Sequence, residues 1–171
     1  MRKIVVAAML ALSALVLTSC SLAGSRLAQL NRGTEEQMAD ARTEQIISVL
    51  QNEDAEAMKA LFSKKALAEA EDFYGEVERL FEFTRNNIGT WEMAGWSSSA
   101  QIRTGKKTLM LRFSIDINVE NNGYAIYLID YCTDTIDPDN EGLYMLEVFQ
   151  LAEEFNLGPW QERMRPGIYL H

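Results

Sequence analysis

The chain has 171 residues, 47% of them hydrophobic, and sets 16 basic against 25 acidic side chains for a net charge of −9. So acidic a composition argues against a nucleic-acid partner, whose phosphates need clustered Lys and Arg. The single histidine is the last residue, His171, which excludes most His-based catalysis and nearly all His metal sites. No Gly-rich phosphate loop or other cofactor motif occurs.

Arg2 and Lys3 precede an apolar run from Ile4 to Leu17 that only Ser13 interrupts. A positive start, a short apolar stretch and small residues after it form a secretory signal peptide. The run is shorter than the ~20 residues a spanning helix needs. Its end, Leu17-Thr18-Ser19-Cys20, resembles the lipobox of bacterial lipoproteins. That resemblance implies that residues 1–19 are removed and that Cys20 receives a diacylglyceryl thioether. The protein is then exported and held by acyl chains on the outer face of the bacterial membrane. The bland reading is a plain cleaved signal with an incidental cysteine. Stable residence needs two or more chains, each buried CH₂ contributing ~0.8 kcal/mol. Removing the signal leaves 152 residues with 14 basic and 25 acidic side chains, a net charge of −11. With Cys20 lipidated, Cys132 has no disulfide partner, and the domain must rest on its apolar core.

Residues 20–33 read as a lipidated tether, and Thr34 as the start of the fold. Thr34-Glu35-Glu36-Gln37 fits a capping box, and Met38, Ala41, Ile46, Val49 and Leu50 recur near helical spacing as far as Gln51. Asn52-Glu53-Asp54 is a second cap signal, before a short helix carrying Met58, Leu61 and Phe62. A third helix is predicted from Ala66 to Thr84, with Gly75 costing it ~1 kcal/mol relative to Ala. After Gly89 the period becomes two. Strands are predicted over Thr90–Arg103, bulged near Gly95, then over Leu109–Val119, Tyr124–Thr133 and Leu143–Leu151. Asn121-Asn122-Gly123 is a hairpin signal of type I′. The Tyr124–Thr133 strand is apolar on both faces and should lie centrally. Residues 153–171 read as a tail, with Trp160 and Tyr169 available to dock it.

Helices grouped ahead of a meander predict an α+β domain over residues 34–152, with the helices on one face of a curved antiparallel sheet of about four strands. This order is similar to the cystatin-like cone of the nuclear-transport-factor-2-like superfamily. Ala60-Leu61-Phe62-Ser63, Leu80-Phe81-Glu82-Phe83, Ile102-Arg103-Thr104-Gly105-Lys106-Lys107 and the stretch Asp134 to Tyr144 resemble a family of uncharacterised lipoproteins from Firmicutes gut bacteria. The resemblance, over roughly Thr34 to Leu151, implies the fold and the envelope location and carries no site residues.

Asp130 shares a strand face with Ile126 and Leu128, where it is a candidate base or ligand anchor if that face lines the cone. Otherwise it faces outward or pairs with a neighbour. Trp91, Phe113, Tyr127 and Tyr131 suit a ligand cavity, but a plain core is the better reading of the same set. Asp137, Asp139 and Glu141 have the spacing that opens an EF-hand loop. The twelfth position counted from Asp137 is Val148, so the loop lacks the bidentate carboxylate, and a solvated turn fits the same residues. Cys132 has no internal His to activate it and reads as a small buried hydrophobe.

The leading expectation is a non-catalytic envelope lipoprotein domain that binds a protein partner or a small apolar ligand. One alternative is a cone-pocket isomerase or hydrolase using Asp130. Another is a structural module that dimerises through its sheet face. No metal and no cofactor are expected.

Overall fold

In the computed structural model, residues 33–85, 88–152 and 163–171 are described. The signal peptide, Cys20, the tether up to residue 32 and Trp160 lie outside them. The chain divides into two compact units, Met1–Met38 and Ala39–His171. Of the first, residues 33–38 are described and are helical. The second unit is α+β.

Residues 39–52, here α1, are helical. α2 spans Ala55–Leu61, α3 Lys64–Glu69 and α4 Phe73–Thr84. Each of the last three starts on a side chain that takes an otherwise orphaned amide. Asp54 accepts from the N–H of Ala57, Ser63 from Ala66 and Asp72 from Gly75. A cap of this kind is worth about 1 kcal/mol. The third helix expected from periodicity is therefore two helices, α3 and α4. The reason is Asp72, whose carboxylate caps α4 from the space a Cβ on Gly75 would fill, 2.1 Å from Asp72 Oδ2. Gly75 is the residue that admits the cap, not simply a weak point in a longer helix.

The sheet has five strands in the order β1-β2-β3-β4-β5. They are β1 Ile88–Arg103, β2 Lys106–Val119, β3 Asn122–Asp134, β4 Gly142–Gln150 and β5 Gly167–Leu170. The first four form an antiparallel meander with β3 central, as its two apolar faces require. β5, within the stretch read as a tail, pairs parallel to β4. That fifth strand is not legible in the sequence, because Pro166-Gly167 reads as a break and four residues give too little alternation.

The β2–β3 hairpin turn has the expected positive φ at both centres, but not at the expected residues. Positive φ falls on Glu120 (51°) and Asn121 (68°), with Val119 opposite Asn122. The Asn122-Gly123 pair belongs to β3 instead. A turn centred there would shift the pairing by four residues, an even slip that keeps every side chain on its face, so alternation alone could not choose. Gly123 has a packing role, since a Cβ there would lie 3.0 Å from Leu151 Cδ1.

One face of the sheet packs on the helices. Leu111, Phe113, Ile115 and Ile117 of β2, with Ile126 and Leu128 of β3, meet Ile46, Leu50, Met58, Val77 and Leu80, all at most 2% exposed. Fully burying such a side chain contributes ~1.5–3 kcal/mol. The sheet is locked to the helices where β4 begins. The N–H of Ser63 donates to Leu143 O at 2.9 Å, and Phe62 bridges Leu143. Gly142 makes that approach possible at φ +121°, where a Cβ would stand 2.8 Å from Ser63 N.

The other face is buried as well in its middle. Ala125, Ile129, Met145, Glu147 and Phe149 are at most 4% exposed without belonging to the helix-side core. Arg163 lies over the Phe149 ring, 5.5 Å from its centroid.

Candidate functional site

Asp130, Asp134 and Glu147 are the buried carboxylates among the described residues, and the first and last lie on opposite faces of the sheet. Asp130 of β3 pairs with Leu111 of β2, so it points to the helix side. It is 2% exposed, and Arg42 of α1 reaches it. Arg42 Nε donates to Oδ2 at 2.8 Å and Nη2 to Oδ1 at 3.4 Å, a two-pronged contact of the kind Arg makes with carboxylates. The Cys132 thiol lies 3.9 Å from Oδ2. Asp130 is thus an interior residue, as the cone reading required, but both of its oxygens are engaged by a guanidinium. Cys132 is partly exposed, not fully buried, and packs against the helix-side core.

Glu147 of β4 is 1% exposed on the other face. Arg163 Nη1 donates to its Oε2 at 2.5 Å, and His171 Nε2 stands 2.9 Å from its Oε1. The N–H of His171 donates to Val148 O at 3.0 Å, which seats the chain's last residue beside β4. Tyr127 is directly opposite Glu147 in the ladder. Burial holds its phenol above the ordinary pKa, partly offset by Arg112 and Arg163 and reinforced by Glu147. Sequence reasoning missed this cluster. Its signal was Glu147 itself, a lone charge inside the apolar run Leu143–Phe149, which demands a partner when buried. Arg42 carried the same kind of signal, one turn before Ile46 on the buried stripe of α1.

The four aromatic candidates do not converge. Phe113 is 1% exposed in the helix-side core. Trp91, 39% exposed, lines a cavity of about 260 Å³ with Glu92, Asp116 and Leu151. Tyr127 sits on the opposite face, paired with Ser114. Tyr131 meets Tyr144 edge-on at 6.0 Å.

The acidic loop is a structural joint. Asp137 pairs with Lys65 at 3.0 Å and Asp139 with Lys64 at 3.2 Å, which ties the loop to α3. The hydrogen bond to Asp137 raises the Lys65 pKa. Glu141 accepts the N–H of Asp134 at 2.8 Å. Asp134, 6% exposed, accepts from the amides of Ile136 and Asp137, from Asn140 Nδ2 and from Thr108 Oγ1. Burial alone would raise its pKa, but the four donors outweigh it and hold the carboxyl below the usual value. Among the described residues no group of three or more His, Cys, Asp or Glu side chains is placed to hold a metal ion.

A cavity of about 420 Å³ lies between the α3–α4 junction and β5. Glu69, Glu71, Asp72 and Glu76 line it, with Arg79 and Arg165 among them. Arg79 pairs with Glu76 and approaches Asp72 at 4.0 Å.

Residues 45–151, from within α1 to just past β4, match the family described as Domain of unknown function (DUF5104). The chain belongs to that family. A comparison with curated proteins gives no match. The stretch that matches DUF5104 includes Asp130 and Glu147 but stops short of Arg42 on one side and of Arg163 and His171 on the other. The side chains that engage Asp130 and Glu147 therefore come from outside the matched stretch.

Proposed function

We propose that this DUF5104 protein is a bacterial cell-envelope lipoprotein, anchored through acyl chains on Cys20, whose folded unit is a non-catalytic binding domain for a protein partner or a small apolar ligand. What carries the reading on the domain is the state of its buried carboxylates. Asp130 is held by the Arg42 guanidinium and Glu147 by Arg163 and His171, so each oxygen of both already has a partner. An isomerase or hydrolase using Asp130 needs that carboxylate open to a cavity, as general-base chemistry demands reach to the abstracted proton. The helices on one sheet face support the cone architecture, and the lipobox supports the address. Among the described residues no helix is long and apolar enough to cross a membrane.

The test has two arms. Cells labelled with palmitate should carry label on the wild-type chain in the membrane fraction, and Cys20→Ala should lose both the label and the membrane. A Cys20→Ala chain that still sediments with membranes overturns the anchoring. Native mass spectrometry of the detergent-extracted protein should show an added small-molecule mass or a second polypeptide. Turnover of a co-purified compound that Asp130→Asn abolishes would overturn the non-catalytic reading.

A further inference from the structure

β1 is the outer strand of the sheet, 16 residues long, and among the described residues no strand pairs with its outer side. Long open edges are normally blunted by proline, lysine or a covering element, because their unpaired amides and carbonyls recruit another strand. From Met93 to Ile102 β1 has neither proline nor any charged residue, and most of its residues are exposed, Ile102 at 74%.

The charges sit at its two ends. Glu92 lies directly opposite Asp116 of β2, and Arg103 directly opposite Lys106. Like charges placed so are unfavourable within one sheet. The bulge between Met93 and Gly95 brings Glu92 and Arg103 to the same face, so β1 presents an acidic end and a basic end with a neutral middle.

We propose that β1 pairs with β1 of a second copy of this chain, antiparallel about a two-fold axis at Ser98, to make one continuous sheet across a dimer. An antiparallel self-pairing must match residues of the same face, and centring it on Ser98 does so through the bulge. Ser97 then faces Ser99, Trp96 faces Ala100 and Met93 faces Ile102. Glu92 of each copy faces Arg103 of the other. The acidic end of one protomer meets the basic end of its partner twice over, so Glu92 and Arg103 each gain an opposite charge across the seam. A closed two-fold arrangement also occupies the edge of both copies and stops further addition. The surface is the strand edge and not the sheet face. The proposal does not depend on Cys20 or on what the domain binds.

The test uses the full-length chain, in intact cells and in detergent solution. Ser98→Cys should give a crosslinked dimer with a short bis-maleimide, above the baseline of the unaltered chain. Gln101→Cys should not, because its counterpart would lie ~20 Å away along the strands. Glu92→Lys and Arg103→Glu should each weaken self-association at least tenfold in sedimentation equilibrium. An equimolar mixture of the two should restore it. In the mixed dimer the lysine at position 92 of one chain faces the glutamate at position 103 of the other, and the unaltered Arg103 and Glu92 still face each other. Equal crosslinking at both positions, crosslinking at neither, or charge variants that associate like the wild type would overturn the pairing. So would a monomeric chain whose Ser98→Cys adduct contains a different protein.

Discussion

Replacing Asp134 by Ala removes the hub of the β3–β4 loop and tests whether that loop is a joint of the fold or a solvated turn. Four donors lose their acceptor: the Ile136 and Asp137 amides at 3.0 Å, Asn140 Nδ2 at 3.1 Å and Thr108 Oγ1 at 3.3 Å. Asn140 is 7% exposed and cannot turn freely to water. A buried donor left unmatched costs ~1–3 kcal/mol, and the exposed ones cost little because water replaces the carboxylate. The expected loss is therefore about 1–3 kcal/mol, read from the midpoint of urea unfolding at constant slope. Heating should show it as a fall of ~2–4 °C per kcal/mol for a chain of this size. Asp134→Asn should lose less, because one amide oxygen still accepts, but its NH₂ opposes that of Asn140. The effect of pH follows from the depressed carboxyl pKa. A group whose folded pKa lies below its unfolded value of ~3.9 stabilises fully above that value, and the contribution drains away as pH falls through the folded pKa. The gap between wild type and Asp134→Asn should be full at neutral pH and should close as the solution is acidified below about 4. A variant within ~0.5 kcal/mol of wild type, or a gap constant with pH, would refute the reasoning.

Three further outcomes are expected. Gly142→Ala should cost about 1–3 kcal/mol from its positive φ alone. It should cost more because the new Cβ meets the backbone of Ser63 and Leu61, and a variant as stable as wild type would mean that α2 and β4 are not locked there. Arg42→Met leaves Asp130 buried and unpaired, a loss approaching ~3–5 kcal/mol, whereas Arg42→Met with Asp130→Leu should recover most of it. A double variant as unstable as the single would show that the pair is not the cause. Glu147→Gln weakens two charge-assisted bonds of ~1.5–3 kcal/mol each that hold Arg163 and His171. Amide exchange at Ile168–Leu170 and His171 should then speed up by tenfold or more while β2 and β3 stay protected, and unchanged exchange across β5 would remove Glu147 from that role.

The α+β class, the helix-before-meander order and the central position of β3 were legible in the sequence, because each rests on local periodicity and on how many faces of a strand are apolar. So was the apolar set Leu111, Phe113, Ile115 and Ile117, where strict alternation fixes one face. The break at Ala70–Asp72, the turn at Glu120-Asn121 and the strand Gly167–Leu170 were not. Each depends on a partner distant in sequence or on a choice that alternation leaves degenerate. The same holds for the buried carboxylates Asp130 and Glu147. Their strands declare that Asp130 and Glu147 are charges among apolar neighbours, but their partners stand 88 and 16 residues away for Arg42 and Arg163, and 24 for His171. A sequence determines which groups must be satisfied, because burial follows from pattern. Only the folded chain decides what satisfies them, because that is set by which distant segments the core brings within hydrogen-bond reach.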